Sequence, residues 1–136
     1  MTREILFRGK RTDNGEWVKG FPYITHGGEH QIRYYDSESN IENCSHTVIP
    51  DTLGQFTGLT DKNGVKIFEG DIIKHTQVYL HGTVESIGYV KWSTAYACWL
   101  AGRYTNGRAD MFLGDQSYKL EVLGSLFDNP ELLEVM

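Results

Sequence analysis

Phe68-Glu69-Gly70-Asp71-Ile72-Ile73-Lys74 sets a Gly-Asp corner directly before an apolar, β-branched run, and the next stretch carries further glycines at Gly82 and Gly88. A glycine followed by a short polar residue supplies the positive φ of a tight turn, and the run after it has the composition of a buried strand. Glycines spaced this way let strands bend sharply enough to close a small sheet, so the segment predicts an SH3-like barrel. On that reading Gly70 holds a positive φ, and Gly70→Val would harm folding.

Working outward, Gly and Asn-Gly punctuation cuts the chain into short alternating or β-branched pieces. Strands are expected at residues 5–9, 16–24, 31–35, 47–49, 55–57, 71–75, 83–92, 97–100 and 121–127. No long segment sustains the 3.6-residue period of a helix. The one helix signal is terminal: Asn129 can cap, Pro130 suits the first helical position, Glu131 places negative charge in the first turn, and Leu132, Leu133 and Val135 give an apolar face. One device appears three times, as Thr12-Asp13-Asn14-Gly15, Thr60-Asp61-Lys62-Asn63-Gly64 and Thr105-Asn106-Gly107. Hairpin-turn chemistry explains that recurrence without internal duplication. His26-Gly27-Gly28-Glu29-His30 and Asp36-Ser37-Glu38-Ser39-Asn40 read as loops.

The class is therefore mainly β: one domain over residues 1–136, with an N-terminal β segment at 1–50, a barrel-like part at 51–136 and a short C-terminal helix. Composition agrees, since 40% hydrophobic and 12% aromatic residues exclude a disordered chain, and 15 glycines against 3 prolines suit many turns. A net charge of −5 sets the average field against phosphate backbones and anionic lipid. With no targeting segment or membrane-length apolar run, the expected location is the cytoplasm, with no membrane partner. Cys44 and Cys98 are the only cysteines, too few for a disulfide framework, and are expected as free thiols.

Three segments together resemble the YopX family of phage and prophage proteins. They are Glu4-Ile5-Leu6-Phe7-Arg8-Gly9-Lys10 with Trp17-Val18-Lys19-Gly20; the central Gln55-Phe56-Thr57-Gly58-Leu59-Thr60-Asp61-Lys62-Asn63-Gly64-Val65-Lys66-Ile67-Phe68-Glu69-Gly70-Asp71-Ile72-Ile73; and Glu121-Val122-Leu123-Gly124-Ser125-Leu126-Phe127-Asp128-Asn129-Pro130-Glu131-Leu132-Leu133. Residues 31–45 and 78–115 carry no family pattern. The resemblance implies a mainly β fold and a phage or prophage origin, hence residence in the host cytoplasm. It brings no reaction, cofactor or catalytic residue.

Candidate sites are few. His26, His30, Cys44 and His46 are residue types that zinc accepts, but their spacing fits no finger or ribbon, and loop histidines are the competing reading. Glu69 and Asp71 could share a sheet face as paired acids, or Asp71 could bond backbone amides in the turn. Elbow, Walker and dinucleotide motifs do not occur. Tyr89, Trp92, Tyr96, Trp99 and Tyr104 form a candidate stacking surface, and Arg3, Arg8, Lys10 and Arg11 a candidate basic patch. Against these stand core packing of strand aromatics and ordinary solvation of charges.

The expectation is thus a non-enzymatic protein without cofactor that binds a protein partner or self-associates, with residues 5–24 as the expected contact by strand addition. The alternatives are a nucleic-acid-binding barrel, disfavoured by charge, and a small hydrolase using Glu69, Asp71 or a histidine.

Overall fold

A computed structural model describes residues 3–36, 41–102, 110–114 and 117–134 of the 136. They form β-strands and short 3-10 turns, with no α-helix among the described residues. Two compact units divide the chain, Met1–Phe56 and Thr57–Met136.

In the first unit the strands are β1 (Phe7–Lys10), β2 (Trp17–Ile24), β3 (His30–Asp36), β4 (Ile41–Thr47) and the start of β5 (Gly54–Thr60), in the spatial order β4-β3-β2-β1-β5. The turn at residues 12–15 closes β1 onto β2: Gly15 takes φ 72°, the Gly15 amide donates to the Arg11 carbonyl at 3.0 Å, and Asn14 Oδ1 accepts the Glu16 amide at 2.9 Å. β2 pairs with β1 through its first half and with β3 through its second. The change of partner falls at Gly20, where any β-carbon would collide with the Arg33 carbonyl. Beyond β4 the chain returns to β1, with Val48 bridging Arg11 and the Ile49 amide donating to the Lys10 carbonyl at 2.8 Å. Ile32 and Val48 are buried in this unit.

The second unit holds β6 (Lys66–Phe68), β7 (Asp71–Tyr79), β8 (Gly82–Ser93), β9 (Cys98–Gly102), β10 (Met111–Phe112) and β11 (Leu120–Ser125). Five of these make an antiparallel sheet in the order β10-β9-β8-β7-β11. β6 lies beside β5, whose Thr57 hydroxyl donates to the Ile67 carbonyl at 2.8 Å. One sheet face carries the core: Ile73, Val90, Ala101 and Leu120, joined by Ile67 and Leu113, with Leu59, Trp99, Met111 and Val122 packed against them. Burying six such side chains contributes on the order of 10 kcal/mol before chain entropy is counted.

The Gly70–Asp71 corner has the geometry its sequence calls for. Gly70 sits at φ 89° with the Phe127 ring 3.1 Å from where a β-carbon would stand, so Gly70→Val is doubly strained. Asp71, buried, accepts the Phe68 amide on Oδ2 at 2.8 Å. The Gly70 amide donates to the Val90 carbonyl at 2.9 Å, and its carbonyl accepts the Leu126 amide at 2.8 Å.

Two expectations are corrected. The sheet of the second unit is open, with β10 and β11 at its edges, so the SH3-like barrel is not formed. The reason lies in the glycines assumed to bend it. Gly82 sits at a hairpin end with φ 140°, and Gly88 faces Ile73 in a β7–β8 ladder that runs without a register break from Ile72 to Tyr79. The C-terminal helix is one 3-10 turn, Pro130–Leu133, with no buried residue to dock it. Asn129 makes no side-chain cap there; its Oδ1 accepts the Ser125 amide at 3.3 Å. Val135 lies outside the described residues, as do residues 37–40 of the acidic run and the turn Thr105-Asn106-Gly107.

Candidate interaction surface

Strand lengths in the second unit are unequal, β7 and β8 being the longest among the described residues. Among the described residues, β11 pairs with β7 only as far as His75, and β9 pairs with β8 only from Tyr89 onward. β7 and β8 nevertheless stay paired to Tyr79↔Gly82. Residues 76–85 form the far end of this hairpin, a two-stranded arm. Alternation puts Tyr79 and Val84 on the face that carries His75, Ser86 and the core, but at this distance the core has ended and both face solvent. Val78 lies on the other face at 69% exposure, and Leu80 at the tip reaches 93%.

From Thr76 to Val84 the arm carries no Asp, Glu, Lys or Arg. Its root is charged instead: Lys74 lies 3.4 Å from Glu121 and 3.9 Å from Glu85. The Lys74 hydrogen bond and charge, with Lys62 nearby, hold the Glu121 carboxyl below its ordinary pKa. Beside the root, Lys119 donates to Gln77 Oε1 at 3.0 Å.

The structure splits the candidate stacking residues between two sheet faces. Trp92 and Trp99 are cross-strand partners in an edge-to-face contact with centroids 5.0 Å apart, on the core side, and Trp99 packs against the core. Tyr89 lies on the opposite face, where Lys91 stands 6.0 Å from its ring. Tyr96 also lies there, exposed, in an edge-to-face contact with Phe112 at 5.7 Å; with Leu100 and Asp110 these two line a hollow of about 560 Å³. Tyr104 is outside the described residues.

Much of the basic group is engaged. Arg8 is buried with its guanidinium 4.3 Å from the Trp17 ring centroid, and Lys10 is 5.4 Å from the same ring. Arg11 makes a two-point contact with Asp13 at 2.9 and 2.7 Å; that hydrogen bond raises the arginine pKa and lowers the carboxyl. Arg3 is exposed.

Among the described residues no three of His, Cys, Asp and Glu gather at a distance suited to a metal. His26 is exposed, His30 begins β3, and Cys44 and Cys98 are free thiols. His46 stacks on Tyr34 and shares a 2.9 Å hydrogen bond between Nε2 and the phenol, in a shallow hollow of about 390 Å³ that Arg11, Trp17 and Lys19 also line. Asp71 is turned onto the Phe68 amide and so serves the corner. Residues 5–24 are not an open edge at β1, which is hydrogen-bonded to β2 on one side and β5 on the other. On β2, Phe21 and Tyr23 are exposed, but Arg33 lies 3.6 Å over the Tyr23 ring.

Two features have no place among the sequence candidates. The arm is one; its only local sign is the uncharged run Val78-Tyr79-Leu80 before His81-Gly82. The other is Asp61, buried in the β5–β6 turn, whose Oδ1 accepts the Asn63 and Val65 amides at 2.8 and 2.9 Å and whose Oδ2 accepts the Val122 amide of β11 at 2.9 Å. Burial alone would raise its pKa, but the amides of Val122, Val65 and Asn63, aided by Lys62, outweigh burial and hold it below the ordinary value.

A family model described as YopX protein matches residues 6–134. No curated protein matches the chain. Among solved structures, the crystal structure of protein EF1440 from Enterococcus faecalis is similar, with TM-score 0.62 and 23% sequence identity over 97% of this chain and 99% of that one. At that identity the likeness concerns the fold. No helix among the described residues is long and apolar enough to cross a membrane.

Proposed function

Since the chain belongs to the YopX family, and since its described surface offers an apolar arm, we propose that it is a phage or prophage accessory protein that works by binding another protein. The observation that carries this reading is the uncharged β7–β8 arm with Val78, Tyr79, Leu80 and Val84 exposed. Such a surface is costly to leave in water and is typical of protein contacts. The nucleic-acid alternative has less support, because the aromatics are divided between two faces and Arg8 and Arg11 are already engaged.

A photo-crosslinking amino acid placed at residue 80, in cells expressing the full chain, should trap protein. The same group at residue 26, in an exposed loop of the first unit, should not. Equal yields at both positions, or nucleic acid as the trapped species at 80, would overturn the reading. Leu80→Asp should abolish the crosslinks made from a probe at residue 79 without lowering thermal stability, since Leu80 is 93% exposed.

A further inference from the structure

We propose that a hollow at the root of the arm receives an extended segment of a partner protein in which a bulky apolar side chain stands beside carboxylates. The inference rests on the protein-binding reading above and names the chemistry of the partner.

The hollow, of about 350 Å³, is lined by Lys62, Thr76, Gln77, Val78, Tyr118 and Lys119. The fold fixes each contributor. Asp61 is clamped between its own turn and β11, and the residue after it is tied down as well, since the Lys62 amide donates to the Leu120 carbonyl at 3.0 Å. The 3-10 turn Ser117–Lys119 brings up Tyr118 and Lys119 directly before β11. Lys119 Nζ donates to Gln77 Oε1 at 3.0 Å and stands 5.3 Å from the Tyr118 ring. β7 supplies Thr76, Gln77 and Val78.

Two properties of the lining select the occupant. Val78 and Tyr118 are both exposed, so hydrocarbon and an aromatic ring face water where an apolar side chain could cover them. The charged lining residues are both lysines, in a protein whose net charge is −5. Lys74 and Lys62 each lie 3.4 Å from Glu121, and the Lys74 hydrogen bond and charge, then the Lys62 charge, hold that carboxyl below its ordinary pKa, which marks a locally positive field. Lys119 is held by a neutral amide oxygen. An acidic segment is repelled by the molecule as a whole and attracted here, so charge steers it to this place. A nucleic-acid backbone would satisfy the lysines but leave Val78, and Tyr79 and Leu80 beyond it, in water; a peptide with an apolar side chain among its acids covers both kinds of group.

The test places a photo-crosslinking amino acid at residue 118 of the full chain in cells and maps the adduct by mass spectrometry. It should join another protein, within a segment that sets an apolar residue beside carboxylates. A synthetic peptide copied from that segment should bind the purified chain, less tightly as salt rises, and Lys62→Glu with Lys119→Glu should weaken it about tenfold. Exchanging the peptide's acids for lysines should abolish binding to the wild type and restore it to the double variant. Circular dichroism separates lost binding from lost folding, and Lys119→Glu alone gives a second reading, because the new carboxylate can accept from the Gln77 side-chain amide. No adduct from residue 118, an adduct on nucleic acid or on a second copy of this chain, a trapped segment without acids, or a peptide affinity that ignores both the lysine changes and the charge exchange overturns the inference. If a probe at residue 80 still traps a protein in that event, the protein-binding reading survives; if neither position traps protein, both fail.

Discussion

The turns at residues 12–15 and 60–64 are spelled almost alike, Thr-Asp-Asn-Gly and Thr-Asp-Lys-Asn-Gly, yet they do different work. Both end in a glycine with positive φ, 72° at Gly15 and 81° at Gly64. In the first, Asp13 points outward and grips Arg11 two residues away. In the second, Asp61 points inward, closes its own turn through two amides and ties it to β11 through a third. The glycine fixes the backbone in each case, while the environment decides whether the aspartate is decoration or a clamp. A local motif reports turn geometry reliably and energetic weight hardly at all.

Substitution can widen or close that difference. Asp61→Ala strands three amide donors, two of them within the turn, and should lower the unfolding free energy by about 3 kcal/mol in urea titrations. Asp61→Asn keeps an acceptor for Asn63 and Val65 but turns an amide donor towards the Val122 N–H, and should cost about 2 kcal/mol. Gly15→Ala and Gly64→Ala should each cost about 1 kcal/mol and match one another, because both have positive φ and open space around the added carbon. Equal glycine costs beside unequal aspartate costs would locate the distinction in the carboxylates. Asp13→Ala should leave the denaturation midpoint within replicate scatter, since its ion pair is solvent-exposed. A shift there comparable to that of Asp61→Ala would break the comparison.

Acid should discriminate between the turns as well. The Asp61 carboxyl has a folded-state pKa below its ordinary value, so its contribution is present above the unfolded pKa and is lost as pH falls through the lower folded one. Stability of the wild type should therefore drop below about pH 4 more steeply than that of Asp61→Ala, and equal slopes in thermal melts would remove the clamp from the account.

Several elements were legible before any coordinates. The Asn-Gly turns at residues 12–15 and 60–64, the Gly70–Asp71 corner and strands such as β2, β7 and β8 follow from backbone chemistry that neighbouring residues settle among themselves. Sequence marks β4 only at its last residue, because Ile41-Glu42-Asn43-Cys44-Ser45-His46 lacks strand alternation and pairs with β3. β6 and β10, three and two residues long, are too short to show a period. A barrel does not follow from glycine spacing, since Gly88 pairs in an unbroken ladder as readily as it would bend one. The arm is hidden for another reason: composition shows that Val78-Tyr79-Leu80 is apolar, but only strand register shows that these residues lie at the far end of the β7–β8 hairpin. The third partner of Asp61 is 61 residues away and leaves no trace in the turn itself.

That distance also bears on the order of events during folding. A carboxylate at residue 61 whose last acceptor site is filled from residue 122 waits, on the ribosome, for a further 61 residues to be made. Until then the β5–β6 hairpin has only the local Asn63 and Val65 bonds to this carboxylate. The clamp is thus a late-arriving bond: weakening it should accelerate unfolding while leaving the rate of refolding nearly untouched.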